Sequence, residues 1–221
     1  MLMPRPLIIV FDLGKVLVDF DYSIAARRIA TRSKPQLNLD RLFSDHAPLL
    51  FRYEVGQITT EQFFEEMRAL TGFSGSLGDF AEPFADIFTA IPPMIELHSV
   101  MKKQGFRTWI FSNTNPLAVL HIRRRFPFFK DFDGYIYSYE HGAMKPDTKL
   151  YEVLERATKC SGEEIVYIDD RPENVAAGAG RGWRVVLHKL PDRTRSALKG
   201  MGLLNDSRCR SVYSEPETDS P

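Results

Sequence analysis

Three apolar runs in this chain stop abruptly at small polar or acidic residues, and this pattern limits the possible folds more than any other. Leu7-Ile8-Ile9-Val10-Phe11 ends at Asp12-Leu13-Gly14, and Thr108-Trp109-Ile110-Phe111 ends at Ser112-Asn113-Thr114-Asn115. Ile165-Val166-Tyr167-Ile168 ends at Asp169-Asp170. Continuous apolar runs of this length suit strands buried on both faces, as in a parallel sheet. Tyr135-Ile136-Tyr137 and Trp183-Arg184-Val185-Val186-Leu187 supply two shorter candidates. Helical patterns lie between them. Met94, Leu97 and Met101 recur at helical spacing, with Gly105 as the stop. Leu150, Val153, Leu154 and Ala157 form a second stripe. The alternation predicts an α/β fold, a Rossmann-like parallel sheet flanked by helices. Ligands of such sheets bind at the carboxyl ends of the strands, where all three polar terminations fall.

The stretch from Asp21 to Ala90 follows a different rule. It has few β-branched runs, and its helical patterns succeed one another without strands. Thr59 and Gln62 have capping-box spacing, and Phe63, Phe64, Met67 and Leu70 follow as an apolar face. Thr71 to Ser76 reads as a glycine-rich loop. The expected organisation is a core domain over 1–20 and 91–205, with a small helical cap inserted over 21–90. The tail over 206–221 is polar and proline-containing, and is expected to be disordered.

Composition excludes several classes. Lysine plus arginine balances aspartate plus glutamate at 29 each, so no net positive charge favours nucleic acid or anionic membrane as a partner. Only Cys160 and Cys209 are present, without metal-ligand spacing, which fits a reducing compartment better than a disulfide framework. The N-terminus has no signal-peptide pattern, and no apolar run nears the roughly 20 residues needed to span a bilayer. A soluble, cytoplasmic protein is expected. Its five histidines, His46, His98, His121, His141 and His188, are scattered with no metal spacing. The basic run His121 to Arg125 reads as a solvated helix face.

An aspartate at the end of a buried strand is costly unless something compensates it. Asp12 alone reads equally well as a turn residue bonded to nearby amides. Ser112 reads as a helix N-cap, Lys145 as a surface lysine, and Asp169-Asp170 as helix-start acids. Taken together, however, four segments resemble in order the motifs of the haloacid dehalogenase-like superfamily, across nearly the whole chain. Asp12 matches its nucleophilic aspartate, Ser112 its second-motif hydroxyl, and Lys145, in Gly142-Ala143-Met144-Lys145-Pro146-Asp147, its lysine. Asp169-Asp170-Arg171-Pro172-Glu173-Asn174 matches its acidic fourth motif.

The resemblance implies a Mg²⁺-dependent phosphatase acting on a small phosphorylated metabolite through an aspartyl phosphate on Asp12. It implies Asp12, the Gly14 carbonyl and Asp170 as metal ligands, with Asp169 in a weaker, water-mediated role. Ser112, Asn113 and Lys145 would hold the phosphate, and Asn174 would support the shell from outside. One departure stands out. Many phosphatases of the superfamily carry a second aspartate two residues after the nucleophile as general acid and base, and here that position is Gly14. The Phe-Asp-Leu-Gly-x-Val segment is similar to a bacterial group acting on α-glucose 1-phosphate, though that group has a small or amide residue where Lys15 stands. A proton relay would then come from elsewhere, the cap or water, and Asp19 and Asp21 are close in sequence but not placed by it. The alternative reading is a binding or regulatory protein with weak or no catalysis, because of Gly14. A phosphomutase would face the same lack of a proton-transferring group. A 2-haloacid dehalogenase fits less well, since Asp169-Asp170 and Gly14 stand where those enzymes have a Ser-Ser-Asn-like motif and an aromatic residue.

Overall fold

The computed structural model describes residues 7–34, 42–45 and 47–204. His46, Cys209 and the tail over 206–221 lie outside the described residues. Strand β1 (Ile8–Phe11) is followed by a short β2 (Val18–Phe20) and five helices: α1 (Tyr22–Ala30), α2 (Leu42–Asp45), α3 (Ala47–Glu54), α4 (Thr60–Thr71) and α5 (Leu77–Ala85). Then come β3 (Phe88–Ala90), α6 (Pro92–Lys103), β4 (Arg107–Ser112), α7 (Pro116–Arg125), β5 (Gly134–Tyr137) and α8 (Ser138–His141). The chain continues through α9 (Thr148–Thr158), β6 (Ile165–Asp169), α10 (Pro172–Gly180), β7 (Arg184–Leu187) and α11 (Pro191–Gly200).

All five anticipated strands form one parallel sheet, in the order β5-β4-β1-β6-β7. The three strands with polar ends, β4, β1 and β6, are its adjacent centre. Strand alternation divides the core between the two faces. Ile9 and Phe11 pack with Met94, Leu97, Met101, Ile122 and Leu198 on one side. Ile8 and Val10 pack with Leu150, Tyr151, Leu154 and Trp183 on the other. Every residue of β1 is fully buried, and each such side chain contributes about 1.5–3 kcal/mol. That is why Asp12 emerges at the middle of the sheet rather than at an edge.

The helices between β2 and β3 form a helical insertion with its own core, built largely of rings: Tyr53, Phe63, Phe64, Phe73, Phe80 and Phe84. The capping box at Thr59 and Gln62 is present, and Gly72 ends α4 in the left-handed region at φ +66°. A second capping box, Ser76 with Asp79, starts α5. Leu117 of α7 joins this core, so the insertion packs onto the helix that follows the second polar strand end.

Several expectations need correction. No pattern in the chain announces the antiparallel β2–β3 pair, which closes the base of the insertion through the register Val18↔Ala90 and Phe20↔Phe88. Leu70 is exposed and does not share the apolar face of α4. Ala157 is exposed too, and the buried stripe of α9 is Leu150, Tyr151, Leu154 and Thr158. Among the described residues, no helix is long and apolar enough to cross a membrane.

Candidate active site

Asp12 stands one residue beyond β1, its amide bonded to the Ile168 carbonyl of β6 at 2.9 Å. Its Oδ1 accepts the Leu13 amide at 2.7 Å and lies 2.9 Å from Lys145 Nζ. The turn-residue reading thus accounts for one contact, and the lysine for the other. Lys145 is not a surface lysine. It is 4% exposed, and its ammonium also donates to Asp169 Oδ2 at 2.7 Å and to the Phe111 carbonyl at 2.8 Å. One buried cation therefore ties the ends of β1, β4 and β6 together. Burial pushes the Asp12 carboxyl above its ordinary range, against the pull of Lys145. Burial also works against the lysine's charge, but Asp12 and Asp169 outweigh it and hold the ammonium above its usual value.

Asp169, the last residue of β6, is fully buried, and its oxygens are taken. Besides Lys145, it accepts the Tyr167 hydroxyl, the Arg171 amide at 2.8 Å and the Asn174 amide at 3.1 and 3.2 Å. Burial would raise this carboxyl, yet Lys145 and these donors hold it below its ordinary value. Asp170 is different. It is only partly buried, and no other residue's hydrogen bond or ion pair engages its carboxylate among the described residues. Burial and then the charge of Asp169 raise it. Carboxylate oxygens of Asp12, Asp169 and Asp170 lie within 4.8 Å of one another. One lysine cannot balance three such groups at close range, and an all-oxygen donor set is the kind that a hard divalent cation accepts.

Gly14 lies two residues after Asp12. It bridges Val18 through the Lys15 amide and the Leu13 carbonyl, so its own carbonyl takes no part in that pairing. A Cβ at position 14 would stand 2.8 Å from Cε1 of Phe20, so a side chain there requires the Phe20 ring to move. Lys15 has φ +58°, in the left-handed region that glycine and asparagine tolerate best. Its ammonium pairs with Asp19 and donates to the Phe20 carbonyl at 3.0 Å, directing it away from Asp12. Asp21 is the N-cap of α1. Neither Asp19 nor Asp21 joins the acidic cluster.

Ser112 ends β4, is 2% exposed and bonds locally to the Asn113 carbonyl at 3.3 Å. It is not the N-cap of α7, because Asn115 caps that helix through the Ala118 amide at 3.0 Å. The Asn113 side chain grips the Lys145 backbone, donating to its carbonyl at 3.0 Å and accepting its amide at 2.8 Å. It thereby positions the lysine. The described histidines stay apart from the cluster. His98 stacks on Phe132 and bonds Thr108 at 3.0 Å, and His188 bonds Thr194 at 2.8 Å. Arg123, in the basic run, lies over the rings of Phe129 and Tyr135.

Two features escaped the sequence. Tyr167 bonds Asp169, and the strand alternation that sets residues i and i+2 on one face was the available signal. Glu54, at the end of α3, enters from the helical insertion. Its carboxylate is hydrogen-bonded by the Tyr22 hydroxyl at 3.4 Å and by the Asn115 side chain. The Ser138 hydroxyl lies 2.6 Å from the Glu54 carbonyl and 3.1 Å from that of Thr114.

The haloacid dehalogenase-like hydrolase family matches residues 7–182, most of the chain, including every residue of this cluster. The chain belongs to that family. It is 28% identical over 135 residues to the sesquiterpene phosphatase of Aspergillus oryzae, covering 59% of this chain and 67% of that protein. It is 21% identical over 182 residues to a D-ribitol-5-phosphate phosphatase of Bacteroides thetaiotaomicron, covering 79% and 88%. Mouse acyl-CoA dehydrogenase family member 10 is 24% identical over 213 residues, 89% of this chain, but the match spans only 19% of that longer protein. Among solved structures, a family enzyme of Bacteroides thetaiotaomicron crystallised with magnesium and inorganic phosphate superposes with a TM-score of 0.73. Its identity is 20%, covering 83% of this chain and 94% of that one, a likeness of fold.

Proposed function

We propose that this hydrolase is a Mg²⁺-dependent phosphatase that cleaves a small phosphorylated metabolite by transferring its phosphoryl group to Asp12. The observation that carries the reading is the buried Lys145 joined to Asp12 and Asp169, with Asp170 beside them and free of other partners. The donor set fits the ion. Asp12, the Gly14 carbonyl and Asp170 would hold it, and Asp169, its oxygens already occupied, would act from outside through water and by fixing Lys145. When bound, Mg²⁺ offsets the negative charge of the carboxylates and of the phosphoryl oxygens.

Asp12 attacks phosphorus through the oxygen not held by Lys145 and the Leu13 amide, and Lys145 draws charge from the transferring group. The Ser112 hydroxyl, with the backbone N–H groups of the loop after β4, receives the phosphoryl oxygens. Asn113 keeps Lys145 in place, and Asn174 keeps Asp169 in place. The cap over 21–90 closes on the strand ends of the core (1–20 and 91–205) and selects the substrate.

The names of the relatives suggest two kinds of leaving group, a polyol and an isoprenoid alcohol, and the first motif resembles enzymes of α-glucose 1-phosphate. Phosphate release should therefore be measured on sugar 1-phosphates, sugar and polyol 5- and 6-phosphates, and prenyl phosphates, with Mg²⁺ and with EDTA. Release from at least one class, lost with EDTA and restored by Mg²⁺, is the expected result. Silence on every class by a protein that still binds Mg²⁺ would favour the non-catalytic reading, for which the Phe20 ring against Gly14 is the supporting observation.

A further inference from the structure

We propose that Glu54 is the general acid and base of this enzyme, supplying from the helical insertion the proton that position 14 cannot. The assignment rests on the phosphatase reading. Leaving-group oxygens of alkyl phosphates are strongly basic, so their departure needs a proton, and such help is typically worth about 10²–10⁴-fold. Gly14 has no side chain to give one, and Phe20 occupies the space where one would begin.

Glu54 is held by Tyr22, Asn115 and Ser138, which follow strands β2, β4 and β5. Tyr22, which bonds its carboxylate, follows the β2 strand whose Phe20 ring covers Gly14, and the two rings pack edge to face at 5.7 Å. Asn115, its second donor, stands three residues after Ser112 in the loop beyond β4. Ser138, one residue past the end of β5, ties the Glu54 backbone to the Thr114 carbonyl of that same loop. The carboxylate is thus drawn to the carboxyl ends of the strands by groups following β2, β4 and β5. The Lys145 ammonium that holds Asp169 ionised has no counterpart here. Glu54 meets neutral donors only, and burial pushes its carboxyl up to about 7, against the hydrogen bonds of Tyr22 and Asn115. A carboxyl so placed is available in both protonation states near neutrality. Its place on the insertion also couples catalysis to closure over the substrate.

In the first step an Asp12 oxygen bonds to phosphorus, the bond from phosphorus to the ester oxygen breaks, and that oxygen takes its electron pair together with the Glu54 proton. The alcohol leaves. In the second step water bonds to phosphorus and gives a proton to the Glu54 carboxylate. The bond from phosphorus to Asp12 then breaks, so phosphate leaves and both side chains return to their starting states.

The test is the dependence on the leaving group. kcat/KM should be measured for native protein and Glu54→Gln on the best alkyl phosphate of the panel and on 4-nitrophenyl phosphate, whose leaving group needs no proton. kcat/KM reports the steps through departure of the alcohol. Glu54→Gln should lose about 10²–10⁴-fold on the alkyl ester and less than about 10-fold on the nitrophenyl ester. Equal losses on both esters, with native-like thermal unfolding, would overturn the assignment while leaving the phosphatase reading intact. If Glu54→Gln does not fold, Glu54→Asp carries the same comparison, since it keeps the acid but withdraws it by one methylene. Native protein inactive on both esters would overturn the phosphatase reading, and this assignment with it.

Discussion

The strand-end site and the core of the helical insertion are both buried, but they are built on opposite principles. At the strand ends polar groups are tied by directional contacts: Lys145 serves Asp12, Asp169 and the Phe111 carbonyl, and Asn113 holds the lysine's backbone from both sides. In the insertion, rings fill space against rings, Tyr53 stacked on Phe63 at 4.3 Å and Phe80 on Phe84 at 5.4 Å. Directional charge networks tolerate almost no change of residue type. Apolar packing tolerates much, provided volume is kept. The strand-end network is therefore fixed in residue type, while the ring core of the insertion is free to vary around it.

The sharpest way to break this contrast is Lys145→Met. It leaves two buried carboxylates without their cation, which should cost about 3–5 kcal/mol and abolish phosphate release. Urea unfolding and the release assay check both parts together. Phe80→Ala in the insertion should cost a similar amount, about 3–5 kcal/mol, by opening a cavity. Its folded fraction should nonetheless keep kcat within a few-fold at low temperature. Loss of kcat by orders of magnitude in that folded fraction would erase the distinction between the two regions.

A smaller effect probes the sheet core away from the site. Burial, helped by the charge of Lys102, lowers His98 to about 4 from an ordinary 6.5. The neutral folded ring then resists a proton that the unfolded chain accepts. Its contribution is fully present above pH 6.5 and is lost as pH falls toward 4, with a slope of up to about 1.4 kcal/mol per pH unit. His98→Gln should flatten stability against pH in that window, as read from urea midpoints. The smallest expected change is at Lys15. Asparagine suits its positive φ better, and the ion pair with Asp19 that would be lost is exposed. Lys15→Asn should gain about 0.5 kcal/mol with phosphate release unchanged, which sharpens the view that this lysine is outside the site.

The same contrast explains what could be read in the sequence. The three central strands are legible because burial on both faces demands long apolar runs, and Asp12, Ser112 and Asp169-Asp170 because they end those runs, whereas Lys145 ends no such run and was legible only through the family resemblance. The β2–β3 pair was not legible. Val18-Asp19-Phe20 and Phe88-Thr89-Ala90 are three residues each, with only Val18 fully buried, too short for any period to register. Leu70 and Ala157 were assigned to buried faces because helical spacing alone does not say where a helix ends its contact with the core. Glu54 was invisible for a further reason. Its importance comes from Tyr22, Asn115 and Ser138, which are distant in sequence and brought together only by the fold.

The central claim is that Asp12 receives the phosphoryl group, and the most direct measurement is phosphate release by Asp12→Asn beside native protein, on the best substrate with Mg²⁺. The account predicts a fall of about 10³-fold or more in a variant that unfolds as cooperatively as the native chain. Release at the native rate by that variant would contradict it.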